Sequence, residues 1–233
     1  MTTETGKVRT VLAWGVHLYT ALGAPLGMLA LVAAFAGDFR RTFILLAITV
    51  CIDASDGALA RRLDVKRVVP GVDGALLDCL VDYLNFVVVP VAVFMQPGIL
   101  PEFAQPAALL VLLASAYGFA QTEAKGTIEP YFRGFPSYWN VVALYFVVLE
   151  TSAAFNLTVI LILVVLVFVP IRWLYPSRME TMRAFTITLG LVWGAVVAVL
   201  IARLPEPSPR LGLISLFFPV YYTVASLVYH FRD

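Results

Sequence analysis

The sequence predicts an all-α protein that crosses a membrane about eight times, and three observations lead there. Hydrophobic residues make up 61% of the 233-residue chain and charged residues 13%, about half of the ~25% charge usual in a soluble domain. The apolar residues fall in runs near the ~20 residues that a membrane helix needs. Most of the charge sits in short segments between those runs. Lipid offers no partners for open backbone, so such runs must be helices. No repeat, linker or low-complexity tract divides the chain, and residues 1–233 read as one domain.

The first run, Val11–Ala36, follows Lys7 and Arg9, and Ala34-Phe35-Ala36 resembles a signal-peptidase site. The run is far longer than the ~7–15 residues of a signal core, so it is read as a retained span. The next runs are Thr42–Ala60, Gly74–Gln96 and Ala104–Gln121. The fifth, Ser137–Glu150, is short, with an alternative start within Tyr131–Pro136. Phe155–Tyr175, Arg183–Arg203 and Leu211–His230 complete the set. Pro25, Pro90, Pro170 and Pro219 fall inside these runs, where neighbouring helices tolerate kinks.

Eight spans put both termini on one side, and that side collects 12 of the 16 basic residues. The four on the other side, Arg40, Arg41, Arg203 and Arg210, read as headgroup anchors, as do Arg172, Arg178 and Arg183 on the basic side. By the positive-inside rule the termini are cytosolic. A net charge of +1 gives no reason to expect a nucleic-acid partner. Cys51 and Cys79 would lie at the reducing face, so they are expected as packing residues without a disulfide.

The chemistry is concentrated in Asp53-x2-Asp56-Gly57-x2-Ala60-Arg61-x12-Gly74-x3-Asp78-x3-Asp82. Asp53 and Asp56 are i, i+3 at the end of the second span. Asp78 and Asp82 are i, i+4 at the start of the third. Each pair therefore shares a helix face, and the intervening loop lets the helices return antiparallel and bring the pairs together. One charge near a bilayer centre costs roughly 2.5–3.5 kcal/mol, so four together call for partners. Oxygen-binding divalent cations are natural ones, and four carboxylates could hold two Mg²⁺ or Mn²⁺ ions for phosphate chemistry. Gly57 removes a side chain where a ligand must approach, Gly74 either does the same or ends the loop, and Arg61 can pair with a phosphate oxygen.

This pattern resembles the signature of the CDP-alcohol phosphotransferases. The 12-residue gap between Arg61 and Gly74 is longer than in the common form and resembles the bacterial phosphatidylcholine synthase branch. Phe132-Arg133-Gly134-Phe135-Pro136-Ser137-Tyr138-Trp139-Asn140 and Val16-His17-Leu18-Tyr19-Thr20-Ala21-Leu22-Gly23 are similar to that branch as well. The resemblance implies attack of choline on the lipid-linked phosphorus of CDP-diacylglycerol, with release of CMP. It implies Asp53, Asp56 and Asp78 as metal ligands, and Asp82 as general base and further ligand. Thr20 and His17 match a nucleotide-side Asn-x-x-Thr element, His17 in the place of the Asn. A bacterial inner membrane, a cytosolic active site, lipid surroundings and a homodimer are also implied.

Choline offers a quaternary ammonium and calls for aromatic faces. Tyr131, Phe132, Tyr138 and Trp139 fall at the cytosolic mouth, Tyr83 adjoins Asp82, and Tyr117 precedes Gln121 by one turn. Glu123 and Glu129 could add charge. Phosphatidylserine synthesis is the alternative within the superfamily. A cation transporter is the alternative of another class, but it would spread acids over several spans, and the later spans here carry almost none except Glu150.

Overall fold

The structure is a computed structural model that describes residues 2–121, 131–174 and 182–232. It is built of helices, with one two-stranded exception. The first span is two helices, α1 (Thr2–Ala21) and α2 (Gly23–Phe35), meeting at Leu22 just before Pro25. Helix α3 (Phe39–Arg62) starts at Asp38, whose carboxylate accepts from the Arg41 N–H at 3.0 Å. The following loop contains one helical turn, α4 (Val65–Val68). Asp73 then caps α5 (Gly74–Tyr83) by accepting from the Ala75 and Leu76 N–H groups at 3.0 and 3.1 Å. Helix α5 passes through a π-helical turn, Leu84–Val88, into α6 (Val89–Phe94).

The remaining helices are α7 (Ala107–Ala120), α8 (Trp139–Val148), α9 (Ala153–Phe168), α10 (Arg183–Arg203), α11 (Pro209–Ser215) and α12 (Phe217–Arg232). Phe94, Trp139, Ile160 and Leu200 anchor the core, while Leu18, Leu80, Leu113 and Leu191 face outward, as lipid-facing side chains do.

Among the described residues six helical runs are long and apolar enough to cross a membrane: Gly6–Phe35, Phe39–Arg62, Gly74–Phe94, Glu102–Ala120, Arg183–Arg203 and Pro209–Phe231. The expected count of eight is not confirmed. The fifth and sixth expected spans are α8, of 10 residues, and α9, of 16. Ten residues rise about 15 Å, half of a ~30 Å hydrocarbon layer.

Local chemistry explains the shortening. Phe135-Pro136 disfavours helix before the proline, Ser137 takes a left-handed φ of 54°, and Glu150 ends the helical stretch with a φ of 51°. Pro170 likewise stops α9 at Phe168. The chain then continues as strand β2 (Arg172–Leu174), antiparallel to β1 (Tyr131–Arg133), with Phe132 opposite Trp173. Gly134 joins this hairpin to the bundle. Its φ is 78° and a Cβ there would run into the Val167 carbonyl oxygen, so both backbone and space require glycine.

Helix α3 packs against α1, α2 and α10, and α5 packs against α1, α2 and α7. The two carboxylate-bearing helices thus share α1 and α2 as neighbours. Gly23 and Gly27 of α2 let it approach closely. A Cβ at Gly23 would meet Val81, and one at Gly27 would meet the Asn85 amide oxygen.

Candidate functional site

The helical spacings bring the acids to one place. Carboxylate oxygens of Asp53, Asp78 and Asp82 lie within 4.8 Å of one another. Asp53 is exposed, and Asp78 and Asp82 are half-buried. Asp56 lines the same cleft but is 6% exposed, and the Thr20 hydroxyl donates to its Oδ2 at 2.7 Å. The site is therefore three converging carboxylates and a fourth held from α1. An all-oxygen donor set fits Mg²⁺ or Mn²⁺. Such a group could hold a metal ion.

The other expected site residues take distinct places. Thr20 is occupied with Asp56. Gly57 gives its bare Cα to Arg61: a Cβ there would lie 3.3 Å from the guanidinium Nη1. Arg61 itself is exposed. Gly74 does similar service for His17, whose Cε1 would stand 3.1 Å from a Cβ. His17 is 7% exposed, and its Nε2 has no hydrogen-bond partner among the described residues. Next to Thr20, the Tyr19 and Ser55 hydroxyls lie 2.9 Å apart and tie α1 to α3 again. Cys51 is exposed instead of packed, and both cysteines are free.

Several cleft residues carry no signal in the sequence, among them Thr49, Ile52, Val81, Asn85 and Phe86. Asn85 and Phe86 sit in the π-turn directly beyond Asp82 and line the cleft with the four acids. Asn85 is 1% exposed. Its Nδ2 donates to the Gly23 carbonyl at 3.1 Å and the Val81 carbonyl at 2.9 Å, while its Oδ1 has no hydrogen-bond partner among the described residues. A π-turn displaces helical hydrogen bonds by one residue, and the Asn85 side chain takes up a carbonyl there. Among the described lining residues Phe86 is the one aromatic, and none is basic. Nothing in a single apolar run distinguishes Phe86 from its neighbours.

The aromatics expected at choline are not among the described residues that line the cleft. Trp139 is fully buried, with its indole N–H donating to the Ser115 hydroxyl at 2.8 Å and its ring edge-on to Phe94 and Phe135. Trp139 is not among the described residues that line the cleft. Tyr138 packs on Phe135 and Tyr222, its hydroxyl 3.3 Å from that of Tyr222. Tyr117 is exposed against Phe168. Tyr83 turns to α7, donating to the Leu112 carbonyl at 2.9 Å with its ring edge-on to Phe119. Tyr131 belongs to β1, and Glu123 lies outside the described residues.

Beside the acidic cleft runs an apolar groove between the α1–α2 joint and α3, lined by Leu22, Leu26, Leu29 and Ile48. Ile52 forms a wall of both. The acidic cleft and the apolar groove thus share one side chain.

No protein-family model matches the chain. Individual proteins do. It is 33% identical over 225 residues to a phosphatidylcholine synthase of Borreliella burgdorferi, covering 95% of each chain. It is 37% identical over 201 residues to one of Pseudomonas aeruginosa, covering 85% of this chain and 84% of that one. It is 42% identical over 170 residues to one of Legionella pneumophila, covering 72% of this chain and 66% of the relative. With the clustered carboxylates, the membrane helices and near-complete coverage of one such relative, the chain belongs to the phosphatidylcholine synthase family.

Proposed function

We propose that the protein transfers the phosphatidyl group of CDP-diacylglycerol to choline and releases CMP. One observation carries the choice of acceptor: four carboxylates line the cleft and no basic side chain does among the described residues. Such a lining suits a cationic alcohol. Serine would bring its own carboxylate, and a polyol phosphate its phosphate, against that charge.

In this reading the diphosphate lies at Asp53, Asp78 and Asp82, with Arg61 within reach of a phosphate oxygen. A divalent ion held by these carboxylates would neutralise diphosphate charge and favour departure of CMP. Thr20 fixes the Asp56 carboxylate. Asp82 accepts the choline hydroxyl proton as that oxygen bonds to the lipid-bearing phosphorus. The bond from that phosphorus to the bridging diphosphate oxygen breaks, and CMP carries its electron pair away. The apolar groove past Ile52 suits an acyl chain.

The cleft and termini face the cytosol of a bacterial cell in this reading. The basic-residue count of 12 against four supports it. The count does not depend on whether α8 and α9 cross, because residues 149–152 between them carry no Lys or Arg.

The test is to incubate purified protein with CDP-diacylglycerol, Mn²⁺ and radiolabelled choline, serine or glycerol phosphate in separate reactions. Label in lipid from choline alone, lost on chelation, is the expected result. Label from serine and none from choline overturns the acceptor.

A further inference from the structure

We propose that Phe86 supplies the aromatic face that receives the quaternary ammonium of the acceptor alcohol, one turn beyond the carboxylate of Asp82. The proposal rests on the reading of the cleft as a choline phosphatidyltransferase site.

Three features of the cleft meet at this residue. Asp78, Asp82 and Phe86 follow at intervals of four, and all three residues line the cleft. The alcohol oxygen and the ammonium nitrogen of choline are separated by two methylenes, a span shorter than one helical turn of about 5.4 Å. A hydroxyl at Asp82 with the alcohol directed along the helix brings the trimethylammonium toward Phe86. A cation is attracted to a ring within about 6 Å of its centroid, a reach comparable to one helical turn.

The second feature is the ring's singularity. A quaternary ammonium has no N–H to donate, so carboxylates alone bind it no better than they bind a metal or a lysine-like amine. An aromatic face adds the preference for a methylated cation. Phe86 is the one such face among the described lining residues.

The third feature is the adjacent Asn85. It is 1% exposed, and its Oδ1 packs against the bare Cα of Gly27 on α2. The amide nitrogen is held by Gly23 and Val81, so the turn carrying Phe86 is fixed to α2 and not free to swing.

The experiment compares choline with its uncharged isostere, the alcohol in which a quaternary carbon replaces the nitrogen, in wild type, Phe86→Leu, Phe86→Tyr and Phe86→Trp. Wild-type incorporation of choline into lipid is established first in the same assay, and its failure there sinks the functional reading and not the ring. Given that activity, Phe86→Leu is expected to raise the choline KM about ten-fold, with the KM for CDP-diacylglycerol unchanged. Phe86→Tyr and Phe86→Trp restore the wild-type preference for choline over the isostere. An unchanged choline KM in Phe86→Leu overturns the proposal, as does a parallel rise in the KM for CDP-diacylglycerol. If Phe86→Leu does not fold, the ratio of choline to isostere in Phe86→Tyr and Phe86→Trp decides. A ratio kept at or above wild type supports the ring face, and a ratio that collapses although both rings are present overturns it.

Discussion

Thr20→Val removes one oxygen and keeps the shape of the side chain. In the structure that oxygen donates to Asp56 Oδ2 at 2.7 Å, and Asp56 is 6% exposed. It is the one donor to Asp56 found among the described residues. A hydrogen bond to a buried charged group contributes about 1.5–3 kcal/mol, which is roughly a 10- to 150-fold change in an equilibrium. In the variant Asp56 loses the donor that orients its carboxylate, and the set of carboxylates binds a divalent cation less tightly. The expected result is a Mn²⁺ requirement raised about 10- to 100-fold, as for loss of a group that orients a metal ligand. The assay is activity against free Mn²⁺ at saturating CDP-diacylglycerol, with thermal unfolding in detergent measured in parallel. Thr20→Ser keeps the donor and should stay near wild type. An unchanged Mn²⁺ titration in Thr20→Val would refute the reasoning, because it would mean that Asp56 does not depend on α1.

Asp82→Asn keeps shape and loses basicity, so kcat should fall about 10²–10⁴-fold while CDP-diacylglycerol binding survives; measured nucleotide binding that collapses with kcat makes Asp82 a ligand instead. Gly27→Ala should destabilise the protein by about 1–3 kcal/mol, because the added methyl meets an Asn85 amide held in place by Gly23 and Val81. Gly15→Ala, with nothing within 4 Å, is the control, and equal unfolding temperatures for the two variants would contradict the close-approach account. A cysteine at Lys66, in a background lacking Cys51 and Cys79, should be labelled in intact cells only by membrane-permeant reagents. Labelling by an impermeant reagent reverses the orientation.

The carboxylate cluster was legible because helical geometry alone decides it: spacings of three and four on two antiparallel helices must converge. The long apolar helices were legible for the same reason that hydropathy works, namely that lipid forbids open backbone. What could not be read was set by contacts between distant segments. The motif gives Thr20 a nucleotide-side role, and the packing of α1 on α3 adds what the sequence does not show, the bond from its hydroxyl to Asp56. Trp139 and Tyr138 looked like residues of a membrane mouth, since amphipathic rings favour interfaces, yet Trp139 points into the core and finds Ser115. The span through Phe155–Tyr175 was drawn across Pro170, where the proline ends helix and a short strand follows. Phe86 and Asn85 were passed over because a π-turn has no signature in hydrophobic periodicity.

The π-turn at Leu84–Val88 acts as a phase shifter in the third span. A regular helix advances about 100° per residue, so an uninterrupted segment would tie the bearing of Asp78 and Asp82 rigidly to that of Val89–Phe94. The extra residue uncouples them. The inner half can turn its acids toward α1 and α3 while the outer half turns Val91, Val93 and Phe94 into the core, where each is at most 4% exposed. Substitutions in the outer half are thereby insulated from the bearing of the acids, and an indel of one residue within the turn is not. Restoring the ordinary pitch there would swing one half of the span by about a quarter-turn against the other, leaving every residue of the signature in sequence and the cleft dismantled.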